Sequence, residues 1–311
     1  MAEDRSKGPE ASEAVGMVPA QQAGDRAMGS RLQWALWVTI GLIAVKAIGA
    51  WLSHSLALWA DAGHSLTDVA AIALSWYAWR QAQRPPTPSM TFGYARMEVL
   101  VALLNGVVLL GLAGALVVEA VVRALHPTAV SPAIMLAAAT VALGVDMVLA
   151  LWFHGSRNVN IRATWIHLLT DALSSFGVLV GAVLIWVSRS GIVDPVLTVL
   201  IAAAMVIGTW RVLQEAIAIL LEATPPGIAI PRVEAALSAV SGVSRVHDLH
   251  VWRIGSGQTA LACHVAVPES LLVADSQDLL CRLHDALEPL GVTHVTIQLE
   301  TEREAHDEPD W

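Results

Sequence analysis

The sequence predicts a membrane all-α bundle of six transmembrane helices, followed by a small cytosolic α+β domain. Two observations predict this fold class. The 311 residues are 55% hydrophobic and only 14% charged, well below the roughly 25% charged share of an average soluble domain. The apolar residues also fall into six long runs up to about residue 221, after which short alternating stretches take over.

Each of the six apolar runs is near or above the ~20 residues that a helix needs to cross the hydrocarbon core of a bilayer. Some thirty polar residues precede the first run and no small-residue cleavage site follows it, so we expect it to be a retained span rather than a signal peptide. Residues 1–30 are expected to be a disordered cytoplasmic N-terminus and residues 31–222 the transmembrane domain. The runs are Leu32–Trp51, Leu56–Trp79, Met97–Leu125, Pro132–Phe153, Trp165–Val187 and Val196–Leu221.

The distribution of arginine predicts the orientation in the membrane, because cytoplasmic loops near helix ends carry the positive excess. Only Arg123 and Arg189 lie on the opposite side. Both termini are therefore predicted to be cytoplasmic. Short loops and an Ala-rich composition suit a bacterial inner membrane. The arginines on the predicted cytoplasmic side are Arg26, Arg31, Arg80, Arg84, Arg96, Arg157 and Arg162.

The segment Thr224-Pro-Pro-Gly227 is typical of a linker into a soluble domain. We expect a ferredoxin-like αββαβ domain for metal binding and dimerisation over residues 223–302, and an acidic tail over 303–311. Five Arg against thirteen Asp or Glu after residue 224 make this part strongly acidic, so nucleic acid is not an expected partner. The predicted elements are a helix at Pro231–Val240, strands at Arg245–Ile254 and Thr259–Val267, a helix at Asp275–Leu290 and a strand at Thr293–Glu300.

Ionisable side chains inside apolar runs are the strongest functional signal, because each one costs several kcal/mol in a membrane. His64 and Asp68 in the second run are four residues apart, as are His167 and Asp171 in the fifth. This spacing places each pair on one face of its helix. Two such faces that meet would form a cage of four ligands.

The ligand types suit Zn²⁺, which binds imidazole nitrogen and carboxylate oxygen at about 2.0–2.2 Å, usually in a tetrahedron. Two carboxylates balance the two positive charges of the ion, so the filled site is neutral where the dielectric constant is low. The alternative is that each pair is only an intrahelical hydrogen bond that hides polar groups from lipid.

Two stretches with these residues, Ser55–Asp68 (SLALWADAGHSLTD) and Trp165–Asp171 (WIHLLTD), resemble the second-helix and fifth-helix signatures of the cation diffusion facilitator family. The resemblance extends in order from Leu32 to Glu300. Its further matches are Phe92–Glu98 (FGYARME), Asp194-Pro195, Leu220–Glu222 (LLE), Val246–Trp252 (VHDLHVW) and His294–Glu300 (HVTIQLE).

The resemblance implies a homodimer that exports divalent transition metal from the cytoplasm in exchange for protons, without enzymatic activity or a prosthetic group. The membrane ligands of the family map onto His64, Asp68, His167 and Asp171. A His at the first position resembles zinc-preferring members, so Zn²⁺ is the expected ion, bound and transported, with Cd²⁺ and Co²⁺ as further substrates. The positions that bind metal in the cytosolic domain of some relatives are His247, His264, His294 and Glu300, with His250 and His284 as further candidates.

Three other ionisable residues in the apolar runs have open interpretations. Asp146 either extends a proton path or pairs with a buried partner such as Lys46, and pairing is the favoured interpretation. Asp61 lies one turn before His64, which suggests an entry group or a group that orients a ligand from outside the first coordination shell, and this is favoured over a fifth direct ligand. The cytosolic histidines also have a plain alternative as surface or core residues without metal.

Two other classes of function compete with transport. A membrane zinc hydrolase would need an open coordination position for water and a nearby base, and the sequence has no HExxH motif. A membrane-anchored metal sensor or scaffold would bind metal in the acidic domain only. Anchoring alone would not require ligands in the middle of the membrane.

Overall fold

The computed structural model describes the backbone of residues 14–154, 159–255 and 257–302, and the side chains of residues 34–154, 164–255 and 257–302. These residues form eight α-helices and three β-strands. A 3₁₀ turn, Glu288–Leu290, follows the last helix. The elements are α1 (Ala14–Ser53), α2 (Leu56–Ala82), α3 (Met97–Leu125), α4 (Pro132–Phe153), α5 (Val159–Ser188), α6 (Val193–Leu220), α7 (Ile230–Ser238), β1 (Arg245–Gly255), β2 (Gln258–Val267), α8 (Val273–Leu287) and β3 (His294–Thr301).

Five of the described helices are long and apolar enough to cross a membrane. The remaining predicted span, the second along the chain, corresponds to α2, whose 27 residues measure about 40 Å at 1.5 Å per residue. Its length suffices, but Asp61, Asp68 and Arg80 lower its hydropathy. The helical membrane region and the following α+β domain are confirmed, while the sixth span stays a prediction. The five apolar segments are Trp34–Ser53, Met97–Leu125, Pro132–Phe153, Thr164–Ser188 and Val193–Leu220.

The helix α1 begins at Ala14, earlier than the sequence predicted. Disorder was expected up to residue 30, because this stretch has little apolar content. The described part of it is instead a continuation of the apolar span, and extending an existing helix avoids the cost of nucleation. Residues 1–13 lie outside the described part of the chain, as does the predicted acidic tail at 303–311.

The chain divides into two compact units, of which the first comprises Met1–Val69 and Leu112–Ala204. Its interior is built from small side chains such as Ala139 and Ala182, packed around Met135 and Val178. A Cβ added to Gly49 would lie only 2.5 Å from the Cβ of Ala138. Small residues of this kind allow helix backbones to approach closely in a membrane.

The second unit comprises Ala70–Gly111 and Met205–Trp311, and includes the α+β domain. The sheet order is β1-β2-β3, with β2 antiparallel to β1 and parallel to β3. Helices α7 and α8 cover one face of the sheet, where Leu237, Leu261 and Leu283 are fully buried. The predicted αββαβ order is confirmed, and each predicted helix and strand lies within three residues of its observed bounds.

A β-bulge interrupts β1. His247 pairs with His264 and His250 pairs with Ala262, so three residue steps on β1 face two on β2. Asp248, inside the bulge, has a positive φ of 47°. A bulge of this kind inserts one extra residue and re-aims the side chains beside it.

Candidate metal centre

A buried carboxylate fixes the beginning of α2, the helix that carries the first pair of candidate ligands. Asp194, at the start of α6, accepts hydrogen bonds from the Ser55 hydroxyl at 2.6 Å and from the backbone N–H of Leu56 at 2.6 Å. The Ser55 hydroxyl in turn accepts a hydrogen bond from the N–H of Leu58 at 3.1 Å. These bonds satisfy N–H groups that a helix leaves without partners in its first turn.

The structure brings the four predicted membrane ligands together. The Nε2 atom of His64 lies 3.5 Å from Oδ2 of Asp68, one turn along α2. The Nε2 atom of His167 lies 3.7 Å from the same Asp68 oxygen and 3.5 Å from Oδ2 of Asp171. Ligand atoms of His64, Asp68 and Asp171 all lie within 4.8 Å of one another. The pairs on α2 and α5 therefore face each other.

These separations suit a small tetrahedral ion. Ligand atoms at 2.0–2.1 Å from a central ion stand roughly 3.3–3.4 Å apart at the tetrahedral angle. The observed distances of 3.5–3.7 Å need only a slight contraction. His64 Nδ1, Asp68 Oδ2 and Asp171 Oδ1 are buried and have no hydrogen-bond partner in the structure. Such atoms are costly to bury unless they bind something.

A second buried polar group, which we call the Lys46 network, lies one helical turn from the ligands. Lys46, only 1% exposed, contacts Oδ2 of Asp61 at 2.9 Å and Oδ2 of Asp146 at 3.7 Å. Its Nζ also donates to the Ser65 hydroxyl at 3.2 Å. The pairing of Asp146 with Lys46 is confirmed. Asp61 contacts Lys46 and Ser174, and no direct contact joins it to the four candidate ligands among the described residues.

Two adjacent serines of α5 complete the Lys46 network. Ser174 donates a hydrogen bond to Oδ1 of Asp61 at 2.8 Å, which links α5 to α2. Ser175 donates to Oδ2 of Asp146 at 2.8 Å, which links α5 to α4. No sequence pattern within one helix identifies these partners, because each bond joins residues that are far apart in the chain.

A second cluster of candidate metal ligands lies on the face of the sheet opposite α7 and α8. The Nε2 atom of His247 is 3.2 Å from Oε2 of Glu300, and the Nδ1 atom of His264 is 3.0 Å from Oε1 of Glu300. The three residues form a group whose ligand atoms lie within 4.8 Å of one another. Asp248, which the sequence analysis did not select, approaches Nε2 of His264 with Oδ2 at 3.8 Å. The β-bulge places it there.

The other predicted cytosolic candidates do not join this cluster. His294 pairs with Ala260 at the opposite end of β3 from Glu300, which pairs with Ala266. Six residues of strand separate His294 from Glu300 by about 20 Å. The ring of His294 instead packs edge-on against Phe92, with centroids 5.6 Å apart. The structure therefore does not bring His294 together with the other three candidates. The resemblance named His294 as a metal-binding position and did not predict its distance from Glu300.

His250 stands at the edge of the cluster rather than inside it. Its Nε2 atom is 2.8 Å from Oδ1 of Asp248, and its side chain is 56% exposed. His284 lies in the last turn of α8, one of the two helices on the opposite face of the sheet.

Fold and site together define a class: a helical membrane protein with a histidine–carboxylate cluster between two of its membrane-region helices and a second such cluster in an α+β domain. Residues 32–221 match the cation efflux transmembrane domain, and residues 225–302 match the cytoplasmic domain of cation efflux proteins. The chain belongs to the cation diffusion facilitator family.

Several relatives are similar over most of their length. A cadmium, cobalt and zinc/H(+)-K(+) antiporter of Bacillus subtilis is 35% identical over 272 residues, which cover 86% of this chain and 87% of the relative. The zinc transporter ZitB of Escherichia coli is 35% identical over 277 residues, which cover 87% of each chain. A solved structure titled the metal-bound C-terminal domain of the CzcD transporter from Cuprividus metallidurans is 34% identical over 24% of this chain and 99% of that chain, with a TM-score of 0.22.

Proposed function

We propose that this protein exports divalent transition metal, Zn²⁺ first, from the cytoplasm in exchange for protons, and that His64, Asp68, His167 and Asp171 bind the ion during transport. One observation carries the proposal. Four metal-ligating side chains from two helices of a membrane protein meet, with buried nitrogen and oxygen atoms that have no hydrogen-bond partner. Relatives with transport of zinc, cadmium and cobalt in their names support the class of substrate.

The charge of the site supports a divalent ion as the substrate. The two carboxylates neutralise a divalent ion without a further anion, which favours the filled site in a medium of low dielectric constant. Cd²⁺ and Co²⁺ are proposed as further substrates.

Proton exchange follows from the chemistry of the ligands. A histidine or an aspartate must be deprotonated to bind metal, so binding releases protons and departure of the ion allows them to return. Histidine titrates near neutral pH in its ordinary state, and we propose that His64 and His167 carry much of the exchange. The Bacillus subtilis relative is named an antiporter, which is consistent with this coupling.

The remaining architecture is proposed on the same basis. The helix α2 is the sixth span, because it supplies two ligands that face α5. The protein is a homodimer in the inner membrane of a bacterial cell. Both of its termini lie in the cytoplasm. Residues 31–222 form the transmembrane domain and residues 223–302 the cytosolic domain. That domain binds metal through His247, His264 and Glu300.

The experiment is ⁶⁵Zn uptake into proteoliposomes under an imposed pH gradient. The natural sequence should accumulate zinc with the gradient, and Asp171→Ala should not. Glu119→Gln is the matched control, because Glu119 is a carboxylate of the membrane helices whose partner is Arg123, at 3.0 Å. Equal uptake with and without a gradient at saturating zinc would contradict proton coupling.

The same experiment separates the competing functions. A sensor or scaffold would bind zinc tightly yet show no uptake by either protein. In that case His167→Ala would leave zinc binding by the cytosolic domain unchanged. It would also show no uptake, as the natural sequence would. A hydrolase would lose activity towards a substrate rather than uptake. Transport lost in both Asp171→Ala and His167→Ala would exclude the sensor and scaffold.

A further inference from the structure

The Lys46 network stands in a definite relation to the proposed transport site. Asp61 precedes His64 by three residues on α2, and Ser174 follows Asp171 by three residues on α5. Residues three apart lie on the same face of a helix, one turn from each other. The hydrogen bond between Asp61 and Ser174, at 2.8 Å, therefore joins the two ligand helices one turn away from the ligands.

We propose that Asp61 is a positioning residue, which sets the register of α2 against α5 through Ser174 and so fixes the geometry of the metal site. The proposal rests on the proposed transport function. Asp61 acts through the helices and does not touch the ion. Its partner Lys46 acts by holding Asp61 in place.

Both oxygens of Asp61 are engaged, which is why the residue can hold a register. Oδ2 lies 2.9 Å from the Lys46 Nζ, and Oδ1 accepts the hydrogen bond from Ser174. Lys46 is itself held by Ser65, whose hydroxyl also donates to the carbonyl oxygen of Asp61 at 3.0 Å. A side chain whose two oxygens are held from two different helices, α1 and α5, has one orientation. Distances between a metal and its ligands tolerate changes of only about 0.2 Å, so a small slide of α2 would matter.

Stability alone does not account for this arrangement. An ammonium group inside a membrane helix costs several kcal/mol, and replacing a buried ion pair by apolar residues of similar volume is often neutral or stabilising. A network whose only task was to fill the interior would be better built from apolar side chains. The contacts of Lys46 and Asp61 instead fix one relative position of the helices that carry the ligands.

Two adjacent serines offer a matched pair of variants. Ser174→Ala removes the link between α2 and α5, whereas Ser175→Ala removes a bond of equal length, 2.8 Å, between α5 and α4. Zinc-dependent uptake rates in proteoliposomes give KM and kcat for each variant. Ser174→Ala should raise KM for zinc roughly tenfold, the lower end of the effect of residues that support ligands. Ser175→Ala should change KM much less.

A conservative variant provides the second readout. Asp61→Asn keeps an acceptor for Lys46 and a side chain that can bond Ser174. Its KM for zinc should therefore stay close to that of the natural sequence, whereas Asp61→Ala should raise KM. Equal KM values for Ser174→Ala and Ser175→Ala, whether both raised or both unchanged, would overturn the proposal. So would a failure of Asp61→Asn to differ from Asp61→Ala.

Uptake by the natural sequence that Asp171→Ala abolishes tests the transport function separately. If the natural sequence shows no uptake, the visible absorption of Co²⁺ bound to the membrane site decides the positioning role. That measurement uses a His247→Ala background to weaken the cytosolic site. A spectrum altered by Ser174→Ala and kept by Ser175→Ala supports positioning, and identical spectra refute it.

Discussion

The carboxylate of Asp194, at the start of α6, accepts a hydrogen bond from the backbone N–H of Leu56, the first residue of α2, with the two atoms 2.6 Å apart. The same carboxylate binds the Ser55 hydroxyl. A residue of one helix thus serves as the cap of another, and the cap lies at the end of the helix that carries His64 and Asp68.

Replacing Asp194 by Ala should destabilise the folded protein by roughly 2–3 kcal/mol, because hydrogen bonds to a charged acceptor contribute about 1.5–3 kcal/mol each and the freed donors are buried. The measurement is thermal unfolding in detergent. Asp194→Asn is the control, since it keeps an acceptor oxygen for Leu56. An Ala variant as stable as the natural sequence would show that the cap does not stabilise α2.

The cytosolic cluster predicts a difference between two histidines of the same domain. His247→Ala should weaken zinc binding by more than roughly tenfold, since even residues that only support ligands contribute 10–100-fold. His294→Ala should leave zinc binding as it is, because His294 lies far from Glu300. Calorimetric titration of the purified protein with Asp171→Ala as background measures this. Equal losses in both variants would mean that metal binds elsewhere on the sheet.

The two cysteines should react very differently with maleimide. Burial raises the pKa of the Cys263 thiol to about 12, with a further contribution from the nearby charge of Asp248. A raised pKa keeps a thiol protonated, so at about pH 8 only roughly one Cys263 in ten thousand is a thiolate. Exposed Cys281 should be labelled first.

Mass spectrometry after brief labelling of the folded protein checks this order. Cys263 should react only after unfolding or at strongly alkaline pH, where its thiolate becomes populated. Cys281→Ser is the control, since it should abolish labelling of the folded protein. Rapid labelling of Cys263 in that variant would contradict the expectation.

The ion pair between Arg96 and Glu222 should contribute little to stability. Its atoms are 2.7 Å apart, but the side chains are 39% and 57% exposed. Exposed pairs contribute about 0–1 kcal/mol, because water screens them and two long side chains lose freedom. A double-mutant cycle with Arg96→Ala and Glu222→Ala should give a coupling free energy below about 1 kcal/mol that falls further with salt. A coupling of several kcal/mol would show that the pair is buried in the working protein.

Sequence reasoning worked where a local pattern determines the answer. The four candidate membrane ligands were identifiable because charged residues inside apolar runs are costly, and because a spacing of four places each pair on one helix face. The α+β elements were identifiable because alternation and turn residues are local. Lys46 and Asp146 were also paired correctly, since each needs a buried partner of opposite charge.

The rest depends on contacts between distant parts of the chain. Ser55 and Asp194 are 139 residues apart, and Asp61 and Ser174 are 113 apart, so no window of sequence contains both partners. The position of His294 has the same explanation. The resemblance named it as a candidate ligand, but the pairing of β3 with β2 places it at the opposite end of β3 from Glu300.

The β-bulge also changes which residues of β1 face the core. Val246 and Val251 are both buried, although residues five apart on a regular strand face opposite sides. The extra residue shifts the alternation by one step, so the strand consists of two halves of opposite parity. A single-residue deletion at Leu249 would therefore restore a regular strand, because Val246 and Val251 would then lie four residues apart and could both stay in the core. The deletion would remove the bulge that brings Asp248 towards His264, so it would change the cluster of candidate metal ligands and keep the core face.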